Sequence, residues 1–146
     1  MNREELERAE TRFVRARVLD HMLRARYRVV VEGMVADDGW LAEFLGASPE
    51  GDLVLLAQKP FDAPYLVLAT SLDLGDFRRD RDLPELLELS SDHDLSPYFS
   101  SADRDLLQLS ARLPLIGLEA SILDFWLGNL LACRGRIAER FPVALG

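Results

Sequence analysis

The sequence predicts an α+β domain, an antiparallel sheet of about five strands packed with long N- and C-terminal helices and a short middle helix. The prediction rests first on Leu107 to Leu113. There Leu107, Leu109, Ala111 and Leu113 alternate strictly with Gln108, Ser110 and Arg112, the two-residue period of a half-buried strand. Pro114 stops that run. Beyond Gly117 the apolar positions Ile122, Trp126, Leu130, Cys133, Ile137 and Phe141 follow at steps of three or four, the period of a helix. The third observation is the contrast between the amino-terminal segment, which lacks Gly and Pro, and the β-branched and aromatic runs that follow Tyr27.

In chain order, Asn2 followed by Glu5 has the form of a capping box and starts a helix that runs from about Arg3 to Arg26. Its apolar residues fall in two stripes, Leu6, Ala9, Phe13 and Ala16, and Val14, Val18, Met22 and Ala25, wider than one sheet face requires. Four strands are expected at Val29 to Val31, Trp40 to Leu45, Leu53 to Ala57 and Tyr65 to Thr70. The turn signals between them are Asp37, Asp38 and Gly39, then Ser48 to Asp52, then Pro60 to Pro64. The first two turns are short enough to close hairpins, so the sheet is antiparallel, with five or six strands in all. Asp82, Leu83 and Pro84 read as a helix start with Pro in the first turn, giving a short middle helix over Pro84 to Leu89. Tyr98 to Ser100 then pairs with Leu106 to Leu113 across a turn at Ala102 and Asp103.

The 146 residues, 49% of them hydrophobic, suit one domain spanning 1–146 with one core. No apolar run approaches the roughly 20 residues of a membrane span. The amino terminus is charged from Arg3 onward without an apolar signal segment, so a cytoplasmic protein is expected. Cys133 is the one cysteine and sits on the apolar face of the last helix, where a packed thiol is expected. The net charge of −8 is unevenly spread: residues 1–28 hold eight Arg against five acidic residues, residues 106–146 four against three, and residues 29–105 five basic against seventeen acidic, a local −12. Nucleic-acid affinity needs clustered Lys and Arg, so direct DNA or RNA binding is not expected. The acidic middle is a solvated surface or a flank that steers a basic partner.

The residue types that carry chemistry do not assemble into a catalytic pattern. His21 has Arg17, Val18, Arg24 and Ala25 at its helical neighbours, none of them a metal ligand. His93 lies in Asp92, His93, Asp94, a loop without the second or third nitrogen or sulfur ligand that zinc requires. Asp73, Asp76, Asp80 and Asp82 lack the alternation and closing Glu of a calcium loop, and the glycines form no phosphate-binding cluster. No nucleophile elbow accompanies the serines. The expectation is therefore no catalytic residue, metal or cofactor. A metal- or small-molecule-binding regulator using Asp92 to Asp94, and an enzyme using acidic residues in an unrecognised cleft, are the alternatives.

The last helix carries apolar side chains over an arc of roughly 240° at 100° per residue, more than a sheet face covers. Either it is sandwiched between the sheet and the first helix, or part of it is a homodimer or partner surface. On the second reading Phe125, Trp126, Leu127, Leu130 and Leu131 form that surface.

The order of elements resembles the YbjN-like proteins, which share the fold of type III secretion chaperones. The order is long first helix, strand meander, short helix near Pro84, hairpin, then Leu113, Pro114, Leu115 and closing helix. As sequence the resemblance is concentrated in Leu107 to Asn129, while the asparagine-bearing motif of many members is not evident around Leu74 to Arg79. The resemblance implies a small acidic homodimer that binds another protein as a chaperone-like adaptor and turns over no substrate. A client would add a strand to a sheet edge or lay apolar side chains beside the helices, and one that itself binds nucleic acid would give the chain an indirect role there.

Overall fold

The computed structural model describes residues 1–36, 38–48, 51–74, 77–99 and 106–142, without the side chains of residues 48 and 51. Helix α1 (Arg3–Arg24) starts as its capping pair dictates, with Asn2 Oδ1 accepting the Glu5 backbone N–H at 2.9 Å. It ends two residues before the expected Arg26. Arg26 takes a left-handed conformation (φ 67°), and Tyr27 N–H returns to the Met22 carbonyl at 2.9 Å. This is a Schellman ending built on an arginine, where glycine is the usual signal.

The strands are β1 (Arg28–Val35), β2 (Gly39–Ser48), β3 (Gly51–Lys59), β4 (Tyr65–Asp73), β5 (Ser96–Phe99) and β6 (Leu106–Pro114). They form one six-stranded sheet in the order β1-β2-β3-β4-β6-β5, antiparallel throughout. The first four are longer than their apolar cores suggest because hairpin pairing carries the ladder into polar flanks such as Gln58 and Lys59. The expected turn residues Asp37, Pro49, Ala102 and Asp103 lie outside the described residues.

Helix α2 (Arg79–Asp92) begins five residues before the expected Pro84, which sits inside it. The Asp82 carboxylate makes the earlier start possible: it turns back to accept the Arg78 N–H at 2.9 Å and binds Arg81 at 2.8 and 2.9 Å. The Arg81 bonds first, then the Arg78 N–H, hold this carboxyl down to about 2 from an ordinary 3.8. A carboxyl that is more acidic folded than unfolded stabilises the fold above its unfolded value, and that contribution is lost as pH falls through the folded one. Asp82→Asn is thus expected to lower the melting temperature at pH 7. The gap from the unsubstituted protein should close between about pH 4 and pH 2 in circular-dichroism melts, and a gap that persists unchanged at pH 2 would contradict the assignment.

Helix α3 (Ala120–Arg140) lies over β4 and β6, flanked by α1, which covers β1 to β3, and by α2, which packs on β5. All three helices pack on one face of the sheet. On that face Trp40, Ala42 and Phe44 of β2 meet Leu53, Leu55 and Ala57 of β3, Leu66 and Leu68 of β4, and Leu107, Leu109, Ala111 and Leu113 of β6, all in one core. The register aligns Ala42, Ala57, Leu68 and Ala111 in a row across four strands, and its three alanines let the helices approach closely. Cys133 is fully buried in this core, and burial pushes its thiol up to about 11, as expected of a packed thiol.

Candidate interaction surfaces

The two histidines differ in their surroundings: His93 is hydrogen-bonded on both ring nitrogens, whereas His21 Nε2 is buried without a hydrogen bond among the described residues. His93, at the end of α2, has Nδ1 at 2.8 Å from Asn129 Oδ1 and Nε2 at 3.1 Å from the Arg136 guanidinium. Guanidinium can only donate, so Nε2 accepts and Nδ1–H donates. The nitrogen a metal would need already faces a cation. His21 lies 3.6 Å from the Asp124 carboxylate in a shallow open recess between the end of α1 and the start of α3. No group of three or more His, Cys, Asp or Glu side chains is placed to hold a metal among the described residues.

Among the described residues one charged side chain, that of Lys59, is wholly enclosed. Lys59 continues the inward parity of Leu53, Leu55 and Ala57, so its side chain points under α1 and is 0% exposed. Its Nζ binds both oxygens of Glu7, at 2.8 and 2.7 Å, with Glu10 at 3.8 Å. Glu7 and Thr11 extend the buried stripe of Val14, Val18 and Met22 toward the amino terminus. The first half of the stripe is polar because it meets Lys59. Both Glu7 oxygens accept from Nζ, and Thr11 Oγ1 donates to Oε1 at 3.5 Å, which makes the pair a clasp between α1 and β3.

The expected surface on α3 divides. Leu127 and Leu130 are 5% and 0% exposed and belong to the core, which corrects their placement on a partner surface: the sheet and the flanking helices cover that side of the arc. The buried line runs through Leu123, Leu127, Leu130, Arg134 and Ile137, offset from the expected line through Ile122 and Trp126. Trp126 and Leu131 are partly buried against the core. Phe125 is 63% exposed and stands edge-on to Trp126, ring centroids 5.5 Å apart. Ile122, one turn before it, and Ile116, in the preceding loop, are also exposed. On α1 the stripe with Leu6 and Phe13 faces outward.

The second apolar surface was not singled out from the sequence. Opposite the helical layer the sheet presents Val31 and Val35 of β1, Leu41 and Leu45 of β2, Leu56 of β3 and Val67 of β4, with no helix over them. The two sheet edges are less inviting: β1 is broken by a bulge between Val29 and Val31, and β5 is four residues long with Pro97 inside it.

These features define an α+β domain with a one-sided helical layer and two apolar surfaces, and no helix among the described residues is long and apolar enough to cross a membrane. No protein-family profile matches the sequence, and no curated protein matches it. The fold is similar to the crystal structure of an uncharacterized protein from Methanothermobacter thermautotrophicus, with a TM-score of 0.62 at 10% identity, covering 85% of this chain and 96% of that one.

Proposed function

We propose that the protein is a cytoplasmic, non-enzymatic adaptor of the chaperone-like kind, a homodimer that binds a partner protein, in line with its resemblance to the YbjN-like proteins. The observation that carries the reading is the Phe125 and Trp126 pair on α3, an aromatic anchor fixed by mutual packing and flanked by Ile122. Aromatic side chains held in place before binding are the usual centres of interface affinity, since little side-chain entropy remains to be lost. The blunted edges favour a client that lays apolar side chains beside the helices over one that adds a strand. The local −12 of residues 29–105 favours a basic client by steering and by complementarity at the rim.

Affinity co-purification of the tagged protein from its own cells, run beside a Phe125→Asp variant, tests this. A stoichiometric protein that survives a salt wash with the unsubstituted chain and falls at least about tenfold with folded Phe125→Asp is the expected result. Equal recovery by both, or none by either, contradicts it.

A further inference from the structure

The open face of the sheet is broad and apolar at its centre. Six strands about 4.8 Å apart, most of them eight to ten residues long, give it roughly 750 Å². A stable interface of standard size buries about 800 Å² on each partner, so this one face is close to the size a dimer needs. A single extended segment would leave most of it wet. A second sheet packed at about 10 Å covers all of it at once.

Charge identifies which second sheet. Glu43 stands on the open face between Leu41 and Leu45 and opposite Leu56, and among the described residues it has no ion-pair or hydrogen-bond partner. A carboxylate amid apolar side chains needs a cation if anything is to cover it. The open face carries one near its other flank: Arg112 of β6, whose guanidinium is held over the Tyr65 ring at 4.8 Å. Strands β2 and β6 are second and fifth in the six-strand order, at equal distances from the middle of the sheet. A two-fold axis running along the strands between β3 and β4 sets each β2 over the β6 of the other copy. The register links Glu43 through Leu56 and Ala69 to Ser110, two residues from Arg112. The remaining offset of about 7 Å along the strand is within an arginine's reach. With Arg28 and Arg112 against Glu43, Asp52 and Asp73, the face is nearly neutral in a chain of net charge −8, so two copies meet there without accumulating repulsion.

We infer that the occupant of the open face is a second copy of this chain, packed sheet to sheet with Glu43 paired to Arg112 of the partner subunit on both flanks, leaving the helical layer free for a client. The inference rests on the homodimer part of the proposed function and adds its surface.

Sedimentation equilibrium over a range of protein concentrations tests it. The unsubstituted chain should show twice its 16.5 kDa mass. Folded Leu56→Glu should be monomeric, and Phe125→Asp should keep the dimer mass. Glu43→Arg and Arg112→Glu should each raise the dimer dissociation constant about tenfold or more, and the double exchange should return it to within about threefold. A chain monomeric at every concentration overturns both the homodimer and this surface. A dimer that survives in folded Leu56→Glu keeps the homodimer and overturns the surface. Should Leu56→Glu not fold, failure of the double exchange to recover affinity overturns the surface by itself.

Discussion

Lys59→Met should cost about 3–5 kcal/mol of stability, although methionine fits the space and suits an apolar core better than lysine does. The cost lies in what is left behind. Glu7 is 8% exposed, and Lys59 Nζ holds both of its oxygens. Without the ammonium, the carboxylate stays under α1 with only Thr11 and a low-dielectric wall for company, or α1 must lift its first turns from β3 to hydrate it. The converse substitution, Glu7→Leu, strands a buried ammonium and should cost a similar amount. The double variant removes both charges, and its stability should lie within about 1–2 kcal/mol of the original or above it. Urea denaturation of the four proteins gives the cycle, with the comparison valid where the slopes agree. A Lys59→Met loss below about 1 kcal/mol would mean that the pair is hydrated and is not the enclosed clasp seen here.

Gly39→Ala should be nearly as damaging, at about 2–4 kcal/mol, for a backbone reason. Gly39 opens β2 at the β1–β2 turn with φ +82°, where a side chain is strained. An added Cβ would also stand 2.2 Å from the Lys59 carbonyl oxygen and 2.6 Å from the Phe61 nitrogen, so main chain has to move. That movement would displace the end of β3, where Lys59 sits. Gly33, on the neighbouring strand, is the control: an added Cβ there meets nothing within 4 Å, and Gly33→Ala should change stability by less than about 0.5 kcal/mol. Equal effects at the two glycines would refute the close approach.

Much of the fold is legible in local pattern. Asn2 and Glu5 mark the start of α1, the alternation from Leu107 to Leu113 marks β6, and the Gly39 turn marks the first hairpin. The inward parity that buries Lys59 is also present in the chain, since it shares a face with Leu53, Leu55 and Ala57. A charge at the end of an apolar alternation reads as a strand leaving the core, and only Glu7 on α1 makes burial tolerable. The ends of the first two helices carry little local signal, since both finish on left-handed residues other than glycine, Arg26 and Asp94. The start of α2 lies before the Pro84 signal because Asp82 caps it from inside the helix.

The sequence alone determined the kinds of elements and their approximate places, because hydrophobic period is a property of each segment by itself. It also determined the charge balance, with the acidity concentrated in the middle of the chain. Packing between distant elements sets which part of the α3 arc lies inside, leaving Phe125 out and taking Leu127 and Leu130 in. It alone decided that β5 lies outside β6, and that all three helices share one face while Val31, Leu41, Leu56 and Val67 remain on the other. The reason is physical. A strand's alternation says that its two faces differ, but whether the second face is covered depends on where elements distant in sequence come to rest. Helices that can pack on either side of a sheet carry no local mark of the side they take.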